Sequence, residues 1–236
     1  LVKSEQEVGV MVCAGFVMAE LIVVGIAVHG GGAVDGKGVE LVNKGTVSIE
    51  LLDSQNPVGQ TLNVAGAEIQ NEGTMDVTYD MTVKEDSSVT NDGSISARSI
   101  SLYDKAQVTN NETAKISTTG DVIVAGDSSL SNRGTIQADY FQVMGNASVE
   151  NSGTVEGITW LQGQATLTLA EGSELDYVFV SGTSTLNIEG AVTLNGNLAQ
   201  YNAQDGAQIV FEEGASLDMQ GNNITLGNIQ LVFEVD

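Results

Sequence analysis

The residues able to do chemistry are few and scattered. The 236-residue chain has one cysteine, Cys13, and one histidine, His29. One of each makes neither a metal centre nor an internal disulfide, and His29 is the sole imidazole available to a Ser–His–Asp relay. They read most simply as a buried thiol and a segment-end histidine. Elimination on uronate sugars needs cations, or a metal held by clustered acids, to stabilise a carbanion. From residue 39 onward the cations are Lys44, Lys84, Arg98, Lys105, Lys115 and Arg133, spread over different positions. Glycoside hydrolysis needs two carboxylates at a fixed separation on one face. The pairs Glu85-Asp86 and Glu212-Glu213 are sequence neighbours at turns, which point apart more often than together. Neither a P-loop nor a dinucleotide-binding glycine pattern occurs. No catalytic residue and no cofactor are therefore expected.

Composition narrows the partners. Eight Lys+Arg stand against 31 Asp+Glu, a formal net charge of −23, with only 17% of residues charged. A surface this poor in cations cannot replace the counterions of a nucleic acid or attract an anionic membrane. Hydrophobic residues make up 42% of the chain. That is enough to bury a core, which argues against disorder. The excess acid reads as a solubilising surface. Calcium held by stacked carboxylates is the alternative. Gly30-Gly31-Gly32-Ala33-Val34-Asp35, however, occurs once and is misspaced for a calcium-binding nonapeptide series.

The elements that carry these residues repeat. A motif of the form apolar-x-Asn-x-Gly-[Thr/Ser]-apolar places Asn43, Asn71, Asn91, Asn132 and Asn151 two residues before Gly45, Gly73, Gly93, Gly134 and Gly153. A degenerate copy contributes Asn110. The successive separations of the six asparagines are 28, 20, 19, 22 and 19. The long first interval contains Asp53 to Gly59 with the sole proline, Pro57, and reads as a loop inserted on one coil. A second column, Leu62, Met81, Ile100, Val122, Phe141, Trp160, Val178 and Leu198, has spacings of 19, 19, 22, 19, 19, 18 and 20. Both columns share the exceptional interval of 22. After Thr154 the asparagine drops out, while Gly172, Gly190 and Gly214 continue the glycine positions. Thr166-x-Thr168 reads as isolated, so no flat threonine array is expected.

Alternating apolar residues broken by Gly and Asn mean strands and turns, not helices. A recurrence this short accommodates three short strands and three turns. The fold class is thus all-β: a single-stranded parallel β-helix, or β-solenoid, over 39–236, preceded by an atypical hydrophobic segment over 1–38. The column from Leu62 to Leu198, Phe141 and Trp160 included, is expected to form one interior file. The repeated asparagines are expected to bond to their copies above and below. The glycine after each is expected to supply a turn with positive φ.

The Asn-x-Gly-Thr-Ile/Val repeats resemble those of right-handed parallel β-helix surface proteins, especially autotransporter passenger domains and related bacterial adhesins, over about residues 39 to 236. The resemblance implies a right-handed coil, an extracellular or cell-surface setting in bacteria or archaea, and no particular functional residue. No membrane-barrel pattern follows the repeats, so a fragment or a different export route would be needed.

The apolar text from Val8 to His29 has several readings. Its length suits a membrane span, but Glu20 near the middle would be costly in lipid. A secretory signal lacks a basic start and a small-x-small cleavage site. Gly15, Phe16 and Glu20 resemble a type IV pilin processing site, which implies a mature chain starting at Phe16, with Glu20 neutralising a neighbouring terminal amine and an apolar helix following. The segment can also cap or start the solenoid. Together these features predict a non-catalytic structural or adhesive rod that self-associates into a filament, sheath or surface layer, with surface glycans or proteins as partners and no nucleic acid. The alternatives are a pilin-like anchored subunit and a polysaccharide-active enzyme.

Overall fold

A computed structural model describes residues 11–13, 19–29, 32–35, 37, 39–50, 61–204 and 206–234. Those residues form 27 strands, all paired in parallel, stacked as a β-solenoid of about eight turns, with no helix among them. Each coil crosses three faces. In one coil these are Ser99–Leu102 on the first face, Gln107–Asn110 on the second and Lys115–Thr118 on the third. Each inner strand pairs with the equivalent strand one coil before and one coil after, as Ile95 does with Met75 and Ile116.

The strands are short because only two side chains per strand need to reach the interior. Burial alternates along most of them, so Val108 and Asn110 are buried while Gln107 and Thr109 are not. No single coil can enclose an apolar volume, and the core exists only as a stack. Its members, Ile69, Met75, Met81, Leu102, Ile136 and Leu167 among them, are almost wholly covered and form one continuous cluster. The parallel ladder also runs across the 38/39 boundary: Met11–Cys13 pairs with Gly32–Asp35, and Ala19–His29 with Val39–Glu50.

Most of the second column is an interior file. Leu62 pairs with Met81, Met81 with Ile100, Ile100 with Val122, Val122 with Phe141, and Val178 with Leu198. Trp160 is not in it. Phe141 pairs with Thr159, Thr159 pairs with Val178, and Thr159 is fully buried. The register of Thr154–Leu161 against its neighbours is irregular between Val155 and Ile158. There Gly157 adopts φ 117°, and a Cβ on it would stand 1.9 Å from the Ala138 carbonyl oxygen. A one-residue slip sends every following side chain to the opposite side of a strand. Trp160 consequently faces outward, beside Gln142 and Phe179.

The Thr159 hydroxyl finds no hydrogen-bond partner inside the core. A buried, unpaired hydroxyl costs about 1–3 kcal/mol. Thr159→Val keeps the shape and removes the hydroxyl, and is expected to raise unfolding stability by about 1 kcal/mol in urea titration. A destabilised variant would mean that the hydroxyl is satisfied.

The pilin-like motif implies a helix after Glu20. Ala19–His29 is instead a strand, with Glu20 in register with Glu40, and no helix of the described residues is long and apolar enough to cross a membrane. Gly15, Phe16 and the Asp53–Gly59 loop with Pro57 lie outside the described residues.

Candidate functional site

The repeated asparagines sit where the second face turns into the third. Asn43, Asn71, Asn91, Asn110, Asn132 and Asn151 are all buried. Asn43 lies within Val39–Glu50 and each of the others ends a strand, all at inward positions, so the amides are held in the core beside their copies. Asn43 Nδ2 donates to Asn71 Oδ1 (2.7 Å), Asn71 to Asn91 (2.7 Å), Asn91 to Asn110 (2.8 Å), Asn110 to Asn132 (2.8 Å) and Asn132 to Asn151 (2.7 Å). The second amide hydrogen goes to a backbone carbonyl across the turn, that of Thr74 for Asn43 and of Ser94 for Asn71. Above Asn151 the file becomes apolar, with Leu169, Ile188, Phe211 and Phe233 in succession. The last two rings stack, 5.2 Å apart.

The glycines that follow serve a different purpose from the expected one. Gly73, Gly93, Gly134 and Gly153 do not have positive φ. What requires glycine is the approach of the coil beneath. A Cβ at Gly73 would lie 2.1 Å from the Gly45 carbonyl oxygen, one at Gly93 2.0 Å from that of Gly73, and one at Gly153 2.1 Å from that of Gly134. Ala114 takes this position above Gly93 and below Gly134, at the end of a longer turn between Asn110 and Lys115 that absorbs part of the lengthened interval. Gly172, Gly190 and Gly214 do not continue the file: Thr154 pairs with Glu174, which puts Ser173 above Gly153.

In the coils that carry the asparagine file, left-handed backbone belongs to another corner, between the first and second faces, whereas Gly172 (φ 85°) and Gly214 (φ 78°) bring it to the second-to-third corner further along. At the first-to-second corner Gly66, Glu85, Asp104, Gly126, Gly145, Gly163 and Gly182 all have φ between 60° and 73°. Sequence reasoning missed this column, although its members recur at nearly the same intervals as the asparagines. Its residue types vary between Gly, Glu and Asp, and the signal lies in spacing alone.

The charged candidates do not converge. Lys44 pairs with Glu72 (3.1 Å), while Arg98 makes a two-point contact with Asp80 (2.9 and 2.6 Å) and lies 3.8 Å above the Tyr79 ring. The Asp80 hydrogen bond raises the Arg98 pKa further. Glu85 occupies a left-handed turn and its N–H donates to the Asp104 carboxylate at 3.2 Å. Burial, then the nearby Glu212 and Glu150, push Glu189 above the usual carboxylate range. Asp35, Lys37, Glu68, Glu85 and Asp86 border a cleft of about 540 Å³ near the N-terminal coils. Among the described residues no group of three or more His, Cys, Asp or Glu is placed to hold a metal ion. Cys13 and His29 fall on separate strands, in register with Asp35 and Glu50.

Two outward faces have distinct surfaces. On the second, Thr166 is not isolated: it stacks between Ser148 and Thr185, while Thr168 stacks between Glu150 and Asn187. On the first, the outward positions are aromatic and aliphatic toward the C-terminal coils. Tyr140, Ile158 and Tyr177 form one file, and Trp160 and Phe179 lie side by side in the next. Tyr201 meets Trp160 edge to face, with ring centroids 4.9 Å apart.

No family model, no curated protein and no solved structure matches this chain. The β-solenoid is established by the chain's own strand register, and its chemistry has to be read from its own surface.

Proposed function

We propose that this protein is a non-catalytic, extracellular structural or adhesive rod that self-associates. The observation that carries the reading is the parallel ladder, pinned along one corner by the asparagine file, beside the isolated ion pairs Lys44–Glu72 and Arg98–Asp80. Such an interior resists local opening because every inner coil is held by two neighbours. A rigid support with variable outward faces suits adhesion better than catalysis, which needs groups brought together from different elements. The resemblance of the Asn-x-Gly-Thr repeats to autotransporter passengers and related adhesins supports the cell-surface setting. The formal charge of −23 supports solubility there.

Electron microscopy of the purified chain, with and without calcium, tests the assembly. Filaments, sheets or ordered rod arrays are the expected result. Monodisperse short rods under every condition would remove self-association from the reading. Turnover of a polysaccharide that a single Asp or Glu substitution abolishes would replace a structural rod with an enzyme.

A further inference from the structure

The first face of the solenoid changes character along its length. Its outward positions are polar in the earlier coils, such as Asp80, Thr82, Ser99 and Ser101. From Tyr140 to Tyr201 they are dominated by large apolar side chains. Tyr140, Tyr177 and Tyr201 are 40%, 45% and 51% exposed. Ile158, Trp160 and Phe179 fill the ground between them. A contiguous apolar patch on an otherwise hydrophilic surface marks a binding face. We infer that this face binds an extended, neutral glycan laid along the solenoid axis; the inference rests on the adhesive reading above and supplies its ligand class.

Three observations select that occupant. The first is spacing. Tyr140 and Tyr177 belong to one file and stand two coils apart. Neighbouring strands in a sheet are about 4.8 Å apart, which puts the two tyrosines about 10 Å apart along the axis. That is close to the disaccharide repeat of an extended β-linked chain, so every second sugar would meet a tyrosine ring, with Ile158 between. Parallel stacking fixes this interval without any side-chain adjustment.

The second is charge. The chain has no Lys or Arg after Arg133, so the patch and the coils that follow it contain no cation. Anionic polysaccharides and anionic lipid would be repelled there. A basic peptide would be drawn by the same charge, and what favours a glycan over it is the two-coil spacing of the tyrosine rings. Asp121 accepts from Gln142 Nε2 at 3.0 Å, and Asp176 accepts from the Gly157 N–H at 2.9 Å. Those groups keep free lone pairs for the hydroxyls of a neutral sugar, which are donors.

The third is the Trp160 indole. Its Nε1–H has no hydrogen-bond partner. That nitrogen is buried, so a sugar hydroxyl would supply its acceptor only once neighbouring side chains shift aside, while the aromatic rings offer the apolar surface that the C–H side of a pyranose covers. Neutral apolar patches without such a polar atom would favour a greasy partner instead.

Trp160 is the sole tryptophan, so its emission reports on this face alone. The test titrates the purified chain with cellohexaose, xylohexaose, mannohexaose and polygalacturonate, following Trp160 fluorescence and heat of binding. At least one neutral hexasaccharide is expected to give a saturable response, with no response to polygalacturonate. Tyr177→Ala and Tyr140→Ala are each expected to weaken binding about tenfold or more. Tyr103→Ala, exposed outside the patch, is expected to leave it unchanged, and circular dichroism would check that all three variants keep the fold. Silence toward every neutral hexasaccharide overturns the inference. So does an equal response to polygalacturonate, a glycan-free emission change that depends on protein concentration and disappears in Tyr177→Ala, or displacement of the sugar by oligolysine. Intact rods under the microscope without sugar binding would sink this inference and leave the rod standing. Cleavage of a bound hexasaccharide would sink the non-catalytic reading and leave the binding face in place.

Discussion

Alanine at position 93 is expected to break the solenoid in the middle. The Cβ it adds would lie 2.0 Å from the Gly73 carbonyl oxygen and 2.9 Å from that carbonyl carbon. Both belong to the backbone of the coil beneath, so no flexible side chain can swing away. The same carbonyl accepts the Ser94 N–H at 2.9 Å, and moving it strains that rung as well. Overpacking typically costs about 1–3 kcal/mol, and a rigid backbone obstacle belongs at or beyond the top of that range. A loss of about 3 kcal/mol or more is expected in urea titration followed by circular dichroism. New protease cleavage should appear near residues 72–94, because a weak interface divides a stack of repeats. Gly126→Asn is the comparison. That position needs left-handed backbone, φ 73°, but Glu85 and Asp104 already hold the same conformation in the coils before it. Its cost is expected to be about 1–2 kcal/mol. Equal costs at the two positions would show that close approach is not what demands glycine at 93.

Leucine at position 91 should be nearly as damaging, and far worse than leucine at 151. Asn91 accepts from Asn71 and donates to Asn110 and to the Lys115 carbonyl. Leu at 91 would leave the Asn110 oxygen without its donor and the Asn71 amide short of its acceptor, both in the core. Each orphaned polar group costs about 1–3 kcal/mol, which puts the substitution at about 2–6 kcal/mol. Asn151 ends the file: it accepts from Asn132 and donates to the Gly153 carbonyl, and the next inward residue above it is Leu169. Asn151→Leu breaks one ladder bond beside an apolar neighbour and is expected to cost about 1 kcal/mol. Denaturation of the two variants side by side decides the matter. Similar losses would mean that side-chain volume, and not the amide ladder, explains the repeated asparagine.

Much of the molecule is legible in the residue spacing because a solenoid has one dominant contact rule. Positions one coil apart in sequence are neighbours in space. The recurrence interval, 20 from Asn71 to Asn91 and 19 from there to Asn110, therefore translates directly into register. Leu62, Met81, Ile100, Val122 and Phe141 show this, each paired with the next. The side-chain surface was less legible. Ile158-Thr159-Trp160-Leu161 offers two alternations, one with Trp160 inward and one with Thr159 inward. Hydrophobicity favours the tryptophan, while the register irregularity at Gly157 selects the threonine. An interior Trp160 would take the indole out of the outward face and leave only the tyrosines Tyr140, Tyr177 and Tyr201 exposed there.

The sequence by itself determined the coil length, the three-strand period, the columns that stack and the acidity of the surface, because those depend only on recurrence and composition. The tertiary structure decided why each glycine is needed, which corner uses left-handed backbone and which way Trp160 points. Those depend on distances between backbones in adjacent coils. A single residue gained or lost at a corner changes them, and the residues that make the difference lie a full coil away along the chain.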